Sequence, residues 1–156
     1  MNIKGTQQPM NQLILLNGPN LNLLGDREPH LYGSVTLQEI ETRLQHQAGQ
    51  AGFGLQCIQS NHEGVLIDAI HAARKTTRGL IINPGGLTHT SVSLRDALAA
   101  YDAPIIELHL SNVYQRESFR HTSYVSPLAK GIIAGFGPLG YELALSALVS
   151  VISAEC

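Results

Sequence analysis

Short apolar runs alternate along this chain with longer stretches in which apolar residues recur at helical spacing. Four runs are rich in isoleucine and leucine: residues 13–16, 80–82, 105–108 and 132–134. Such runs suit strands that are buried on both faces of a parallel sheet. A fifth run, 55–59, alternates between apolar and polar residues, as a strand nearer the sheet edge does.

Four amphipathic stretches follow these runs and predict helices. The first begins at a capping box formed by Thr36 and Glu39. Two more cover residues 66–73 and 94–101, and the last is opened by Pro138 and runs to about residue 152. The order β-α-β-α-β-α-β-loop-β-α predicts an α/β domain with a five-stranded, doubly wound parallel sheet. The flavodoxin-like strand order 2-1-3-4-5 fits it best.

Composition limits the classes of function. A chain of 156 residues has the size of one domain, and we expect a flexible extension at 1–12 and a single catalytic domain at 13–156. The net charge of −2 and the absence of a basic stripe argue against nucleic acid as a partner. No apolar stretch is long enough to cross a bilayer. Two cysteines and no export signal favour the cytoplasm.

Polar side chains collect where the first, third and fourth predicted strands end, in the segments 17–20, 83–91 and 107–112. Ligands of open α/β sheets bind beyond the carboxyl ends of the strands. Glu107 and His109 are two residues apart on a strand, so their side chains point the same way. A carboxylate beside an imidazole favours and orients the protonated ring, which predicts a proton donor. A structural polar pair would show the same spacing.

Three arginines accompany these segments. Arg27 lies five residues before Tyr32 in a long connection whose central part, residues 23–32, has the length of an active-site lid. Arg116 and Arg120 are four apart and would be neighbours on a helix. The three cations predict an anionic substrate or a tyrosine of lowered pKa, although solvated surface arginines are the ordinary alternative.

Three other patterns carry less weight. The segment 135–140 fits GxGxxG but no predicted strand follows it, so we interpret it as the start of a helix. The histidines lack the spacing of a metal site, and no metal is expected. Thr90 and Ser91 lack the turn of a serine nucleophile and instead suit the cap of the third helix.

Several blocks of residues together resemble the type II 3-dehydroquinate dehydratases, in the same order and spacing from about residue 13 to 152. The blocks are residues 17–25 with 27–29 and 32–33, residues 83–91, residues 107–113 with 116–117 and 119–120, residues 123–124, and the segment from 131 onward. The resemblance implies a flavodoxin-like fold and a homododecamer built as four trimers. It implies a cofactor-free dehydration of 3-dehydroquinate to 3-dehydroshikimate, on the shikimate route to aromatic amino acids and also in quinate breakdown.

The resemblance also assigns roles to residues. Tyr32 is the base, His109 is the acid, Arg27 activates Tyr32, Asn20 holds the water that stabilises the enolate, and Glu107 supports the site. The expected substrate-binding residues are Asn83, His89 and Arg120 for hydroxyl groups, Ser111 with the adjoining Asn112 for the carboxylate, and Asp96, which is expected to reach a neighbouring subunit's site.

Two alternatives remain at the level of sequence. A flavodoxin-like mononucleotide-binding module would use the turn at 85–91 to hold phosphate at a helix start, but it leaves Tyr32, Glu107 and His109 without a task. An inactive homologue kept for assembly is opposed by the complete set of polar residues.

Overall fold

The sheet of this protein contains five parallel strands. A computed structural model describes residues 11–26, 30 and 33–155. The strands are β1 (Gln12–Asn17), β2 (Gly54–Gln59), β3 (Gly79–Asn83), β4 (Ile105–His109) and β5 (Gly131–Ala134). Their order in the sheet is β2-β1-β3-β4-β5, which confirms the predicted arrangement.

Within residues 33–155 the α-helices that connect or follow the strands are α1 (Leu37–Gln50), α2 (Glu63–Ala73), α3 (Val92–Ala99) and α4 (Leu139–Ala154). The predicted capping box of α1 is confirmed, since the Thr36 hydroxyl accepts from the Glu39 backbone and the Glu39 carboxylate accepts from the Thr36 backbone. Ser91 caps α3, as predicted. Pro138 precedes α4 as its N-cap residue and is not the first helical residue. Within the described ranges, no helix is long and apolar enough to span a membrane.

Both faces of the sheet are covered by helices. Along β1, Leu13 and Leu15 pack on the face that carries α1 and α4, whereas Ile14 and Leu16 pack on the opposite face with α2 and α3. All four side chains are buried, because successive residues of a strand point to opposite faces. This explains why the strand sequences are continuous apolar runs.

The strand register brings the polar segments together at one edge of the sheet. Asn17 at the end of β1 pairs with Asn83 at the end of β3, and His109 is the last residue of β4. Gly18 then passes so close to Pro84 that a Cβ atom would lie 2.3 Å from the Pro84 carbonyl oxygen. Only glycine fits at this crossing of the two connections.

Candidate active site

A cavity of about 260 Å³ lies at this edge, beyond the carboxyl ends of β1, β3 and β4. Its wall is formed by residues from three segments, 19–24, 83–89 and 109–120. Six of the predicted site residues line it: Asn20, Asn83, His89, His109, Ser111 and Arg120. The sequence prediction that polar strand ends meet around one ligand-sized space is therefore confirmed for these residues.

Glu107 and His109 form a hydrogen-bonded pair beside the cavity. His109 Nε2 lies 2.7 Å from Glu107 Oε1, and the glutamate is fully buried. Because a carboxylate only accepts hydrogen bonds, the ring nitrogen that faces it carries a proton. Among the described residues the other ring nitrogen of His109 has no hydrogen-bond partner, so it is free to act on a ligand.

Three hydroxyl groups complete the surroundings of Glu107. Thr88 and Ser123 approach Oε1 at 2.8 and 2.7 Å, and Ser126 donates to Oε2. Burial raises the pKa of Glu107, but hydrogen bonds from His109, Ser126 and Ser123 outweigh it and hold the pKa below its usual range. The carboxylate is therefore ionised at neutral pH.

His89 is held in a defined tautomer. Its Nδ1 lies 2.7 Å from the carbonyl oxygen of Thr122, and a carbonyl only accepts, so Nδ1 is the donor. In the neutral ring Nε2 is then an acceptor, suited to a substrate hydroxyl. The ring stacks on His109 with centroids 6.4 Å apart.

Arg116 and Arg120 both line the cavity, although the stretch that carries them is not one continuous helix. Two short 3-10 helices, Val113–Gln115 and Ser118–His121, cover this stretch, and Arg116 lies between them in an extended conformation. Glu117 brings the two guanidinium groups together, since its Oε2 lies 3.8 Å from Arg116 Nε and 2.6 Å from Arg120 Nε. The two arginines are therefore neighbours through this carboxylate and not through helical spacing.

Ser111 stands at the base of this cationic wall. Arg116 donates to its hydroxyl oxygen at 3.3 Å, which leaves the Ser111 proton free for a ligand. The described lining holds two arginines and no carboxylate. It therefore suits an anionic ligand.

Asn20 is the one non-glycine residue with a positive φ, 70°, in the described ranges. Its backbone N–H donates to Asn61 Oδ1 at 2.9 Å, and Asn61 in turn accepts from Gln59 at 3.2 Å. Asparagine tolerates the left-handed conformation better than most residues. The end of β2 thus holds Asn20 at the cavity.

The structure does not place every predicted residue at this cavity. Arg27 and Tyr32 fall outside the described residues, as does half of the predicted lid. Asp96 is exposed on α3 and contacts Arg95 at 3.4 Å, away from this cavity. Asn112 uses its side chain to cap the following 3-10 helix by accepting from the Tyr114 backbone.

Several functional contacts were not predicted. Arg116 was noted as a cation but not assigned to the site, and the hydroxyls of Thr88, Ser123 and Ser126 on Glu107 had no signal in spacing or periodicity. The GxGxxG segment leads into α4, in agreement with its interpretation as a helix start. Within the described ranges, no group of three metal-ligating side chains comes together.

Comparison with known proteins shows similarity to dehydroquinases in both sequence and structure. A family model described as Dehydroquinase class II matches residues 11–149. The catabolic 3-dehydroquinase 2 of Aspergillus flavus is 54% identical over 147 residues, which cover 94% of this chain and 98% of that protein. The 3-dehydroquinate dehydratase of Gloeobacter violaceus is 59% identical over 137 residues, 88% of this chain and 86% of that one. The type II dehydroquinase from Propionibacterium acnes superposes with a TM-score of 0.85 at 42% identity and covers 90% of this chain and 97% of its own.

Proposed function

The chain belongs to the class II dehydroquinase family and dehydrates 3-dehydroquinate to 3-dehydroshikimate, and we propose that it does so through an enolate formed in the cavity beyond β1, β3 and β4. The reaction is a step of the shikimate pathway. The observation that carries the assignment of the site is the buried Glu107 carboxylate bonded to His109 at the cavity wall. A mononucleotide-binding module is not favoured, because the family match and the relatives are dehydroquinases.

The first step removes a proton from the carbon beside the ketone, and Tyr32 is the proposed base. A phenol is protonated at neutral pH unless nearby cations lower its pKa. Arg27, five residues earlier, is proposed to supply part of this positive charge. The assignment rests on the match of residues 27–33 to the family pattern. Arg116 and Arg120 add further positive charge at the cavity wall.

Loss of the proton places negative charge on the ketone oxygen, and this charge needs a hydrogen-bond donor held in place before the reaction. Asn20 is proposed to hold a water molecule for this purpose. The support is its position in the cavity lining and its backbone bond to Asn61.

The second step expels the hydroxyl group, and His109 is proposed to protonate it as it leaves. One ring nitrogen faces Glu107 at 2.7 Å, which leaves the other for the substrate. The ionised carboxylate accepts a hydrogen bond from the ring nitrogen that faces it. Glu107 therefore acts through His109 and keeps the ring oriented.

Substrate binding follows from the polarity of the wall. His89 offers an acceptor to a hydroxyl group, because its Nδ1 donates to Thr122. Asn83 and Arg120 offer donors to other hydroxyl groups. Ser111 is proposed to bind the substrate carboxylate with the adjoining backbone of Asn112, beside the two arginines.

We propose a homododecamer of four trimers, in which Asp96 of each chain reaches a neighbouring site. The exposure of Asp96 supports this, as do the apolar side chains of Ile132, Phe136 and Leu139, each more than half exposed near the edge strand β5. An apolar sheet edge needs cover. Twelve chains of 16.8 kDa give about 200 kDa, a mass that light scattering on the purified protein measures; a monomer would contradict the assembly.

The proposed compartment is the cytoplasm. Cys57 is a free thiol within the described residues, and cysteines stay reduced in that compartment. Fractionation of cells that express the full chain tests this location.

A direct assay tests the reaction. Purified protein is mixed with 3-dehydroquinate, and the absorbance of the conjugated product is followed. We expect product with the wild-type chain and with His71→Ala, an exposed change on α2, but a large loss of turnover with His109→Ala. A folded wild-type protein that yields no product would overturn the proposal.

A further inference from the structure

A buried chain of hydrogen bonds runs beneath the cavity and involves no group with an assigned chemical role except Asn83. Tyr141 of α4 is fully buried. Its hydroxyl lies 2.7 Å from Asn17 Oδ1 and 3.1 Å from Asn83 Nδ2. Asn17 Nδ2 lies 3.4 Å from Glu41 Oε1 on α1. This series of hydrogen bonds thus links helix α1 to the cavity wall.

The two ends of this chain set the direction of every bond in it. The Glu41 carboxylate only accepts, so the NH2 group of Asn17 faces it and the Asn17 oxygen faces Tyr141. The Tyr141 O–H is therefore spent as a donor to Asn17. The phenol oxygen can only accept from Asn83, so the Asn83 NH2 group faces Tyr141.

The other end gives the same orientation of Asn83. Its Oδ1 accepts from the backbone N–H of Gly85 at 3.3 Å, and a backbone N–H only donates. One N–H of the Asn83 amide is then bound by Tyr141. The second N–H has no partner among the described residues, and Asn83 lines the cavity.

We propose that Tyr141 is a positioning residue: together with Asn17 it fixes the Asn83 amide so that an N–H, and not the carbonyl oxygen, is presented to an oxygen atom of the substrate. The proposal rests on the proposed function, since it names the polarity of one contact in that site. If Tyr141 could not accept, only the 3.3 Å bond from the Gly85 N–H would hold the Asn83 amide, and the orientation of its NH2 group would be less firmly fixed. The phenol thus selects which atom of Asn83 meets the ligand.

The test compares Tyr141→Phe with Tyr101→Phe. Tyr101 is a matched control, because it is buried and its hydroxyl lies 2.7 Å from Thr77 Oγ1 near the opposite edge of the sheet. Both variants should lose thermal stability, since each leaves a buried partner without its hydroxyl. Only Tyr141→Phe should lower kcat/KM for 3-dehydroquinate, by about tenfold, the size expected for one lost hydrogen bond. Equal kcat/KM values for the two variants would overturn the proposal.

A second measurement separates positioning from general damage. In an Asn83→Ala background, the change Tyr141→Phe should have almost no further effect on kcat/KM, because the residue through which it acts is gone. A further tenfold loss in that background would show that Tyr141 does not act through Asn83. Wild-type protein without activity would instead refute the proposed function, so the two failures are distinguishable.

The far end of the chain gives a variant for the case in which Tyr141→Phe does not fold. Glu41 is half-buried on α1, and Glu41→Ala removes the oxygen that accepts from the Asn17 NH2 group. Asn17 is then no longer oriented from this end, and we expect kcat/KM to fall in the same direction. An unchanged kcat/KM would overturn the claim that the chain is oriented from this end.

Discussion

Exchanging Glu107 for glutamine separates the charge of this carboxylate from its hydrogen bonds. Glutamine keeps an oxygen that accepts from His109, Thr88 and Ser123, which lie within 2.8 Å of Glu107 Oε1. Its NH2 group takes the place of Oε2, where the Ser126 hydroxyl can rotate to accept. The packing is preserved, and what disappears is the negative charge beside the His109 ring.

The size of the effect follows from the difference between two kinds of hydrogen bond. A bond to a charged group contributes about 1.5–3 kcal/mol and a neutral one about 1 kcal/mol. We therefore expect Glu107→Gln to lower kcat by about tenfold, which corresponds to about 1.4 kcal/mol. Glu107→Ala removes the acceptor as well and leaves buried donors unpaired. We expect the unfolding free energy of Glu107→Ala to lie about 3 kcal/mol below that of Glu107→Gln.

The pH dependence of stability gives a second readout with a defined sign. The pKa of Glu107 is lowered from 4.5 in the folded state, so its ionisation stabilises the fold above pH 4.5, and this contribution is lost as the pH falls through the folded value. Chemical unfolding of wild type should show this loss, and Glu107→Gln should show less of it. The reasoning would be refuted by a Glu107→Gln variant that keeps the wild-type kcat. It would also be refuted if this variant lost as much unfolding free energy at acidic pH as the wild type does.

Three more outcomes are expected. Tyr32→Phe should abolish turnover while calorimetry still detects substrate binding; near-normal turnover would refute the base. Arg27→Ala should raise the apparent basic pKa in the rate profile, because a cation that favours the phenolate is gone, and an unchanged profile would argue against its role. In the Cys156→Ser variant, Cys57 should react with a thiol reagent at pH 8 only after the protein is unfolded. The reason is that burial, and to a lesser extent the Glu41 carboxylate, raises the pKa of Cys57 to about 12. Fast reaction of the folded protein would contradict this.

The strands and helices were predictable because their sequences obey one local rule each. Residues 13–16 form a continuous apolar run because both faces of the sheet are covered, and such a run indicates a buried strand. Thr36 and Glu39 mark the start of a helix without any contact to a residue distant in sequence. Local spacing was less informative at Arg116 and Arg120. Spacing four apart makes them neighbours only on a helix, whereas the structure brings them together through Glu117, between two 3-10 helices.

The candidate site was predictable in position and much less so in its hydrogen bonds. Parallel strands end at one edge, so residues 83, 107 and 109 had to meet there whatever their partners. The partners of Glu107 come from residues 88, 123 and 126, and their meeting depends on how two connections pack over β4. No periodicity records such packing.

Which partner of a hydrogen bond donates is harder to predict from the sequence than which residues meet. Tyr141 contacts Asn83 and Asn17, which lie 58 and 124 residues away from it in the sequence. Each of these three side chains could donate or accept a hydrogen bond. Only the assembled chain, with a carboxylate at one end and a backbone N–H at the other, removes this freedom. On the proposal made for Tyr141, a variant can therefore keep every residue that lines the cavity and still lose kcat/KM through a change at Tyr141, which is not among the lining residues.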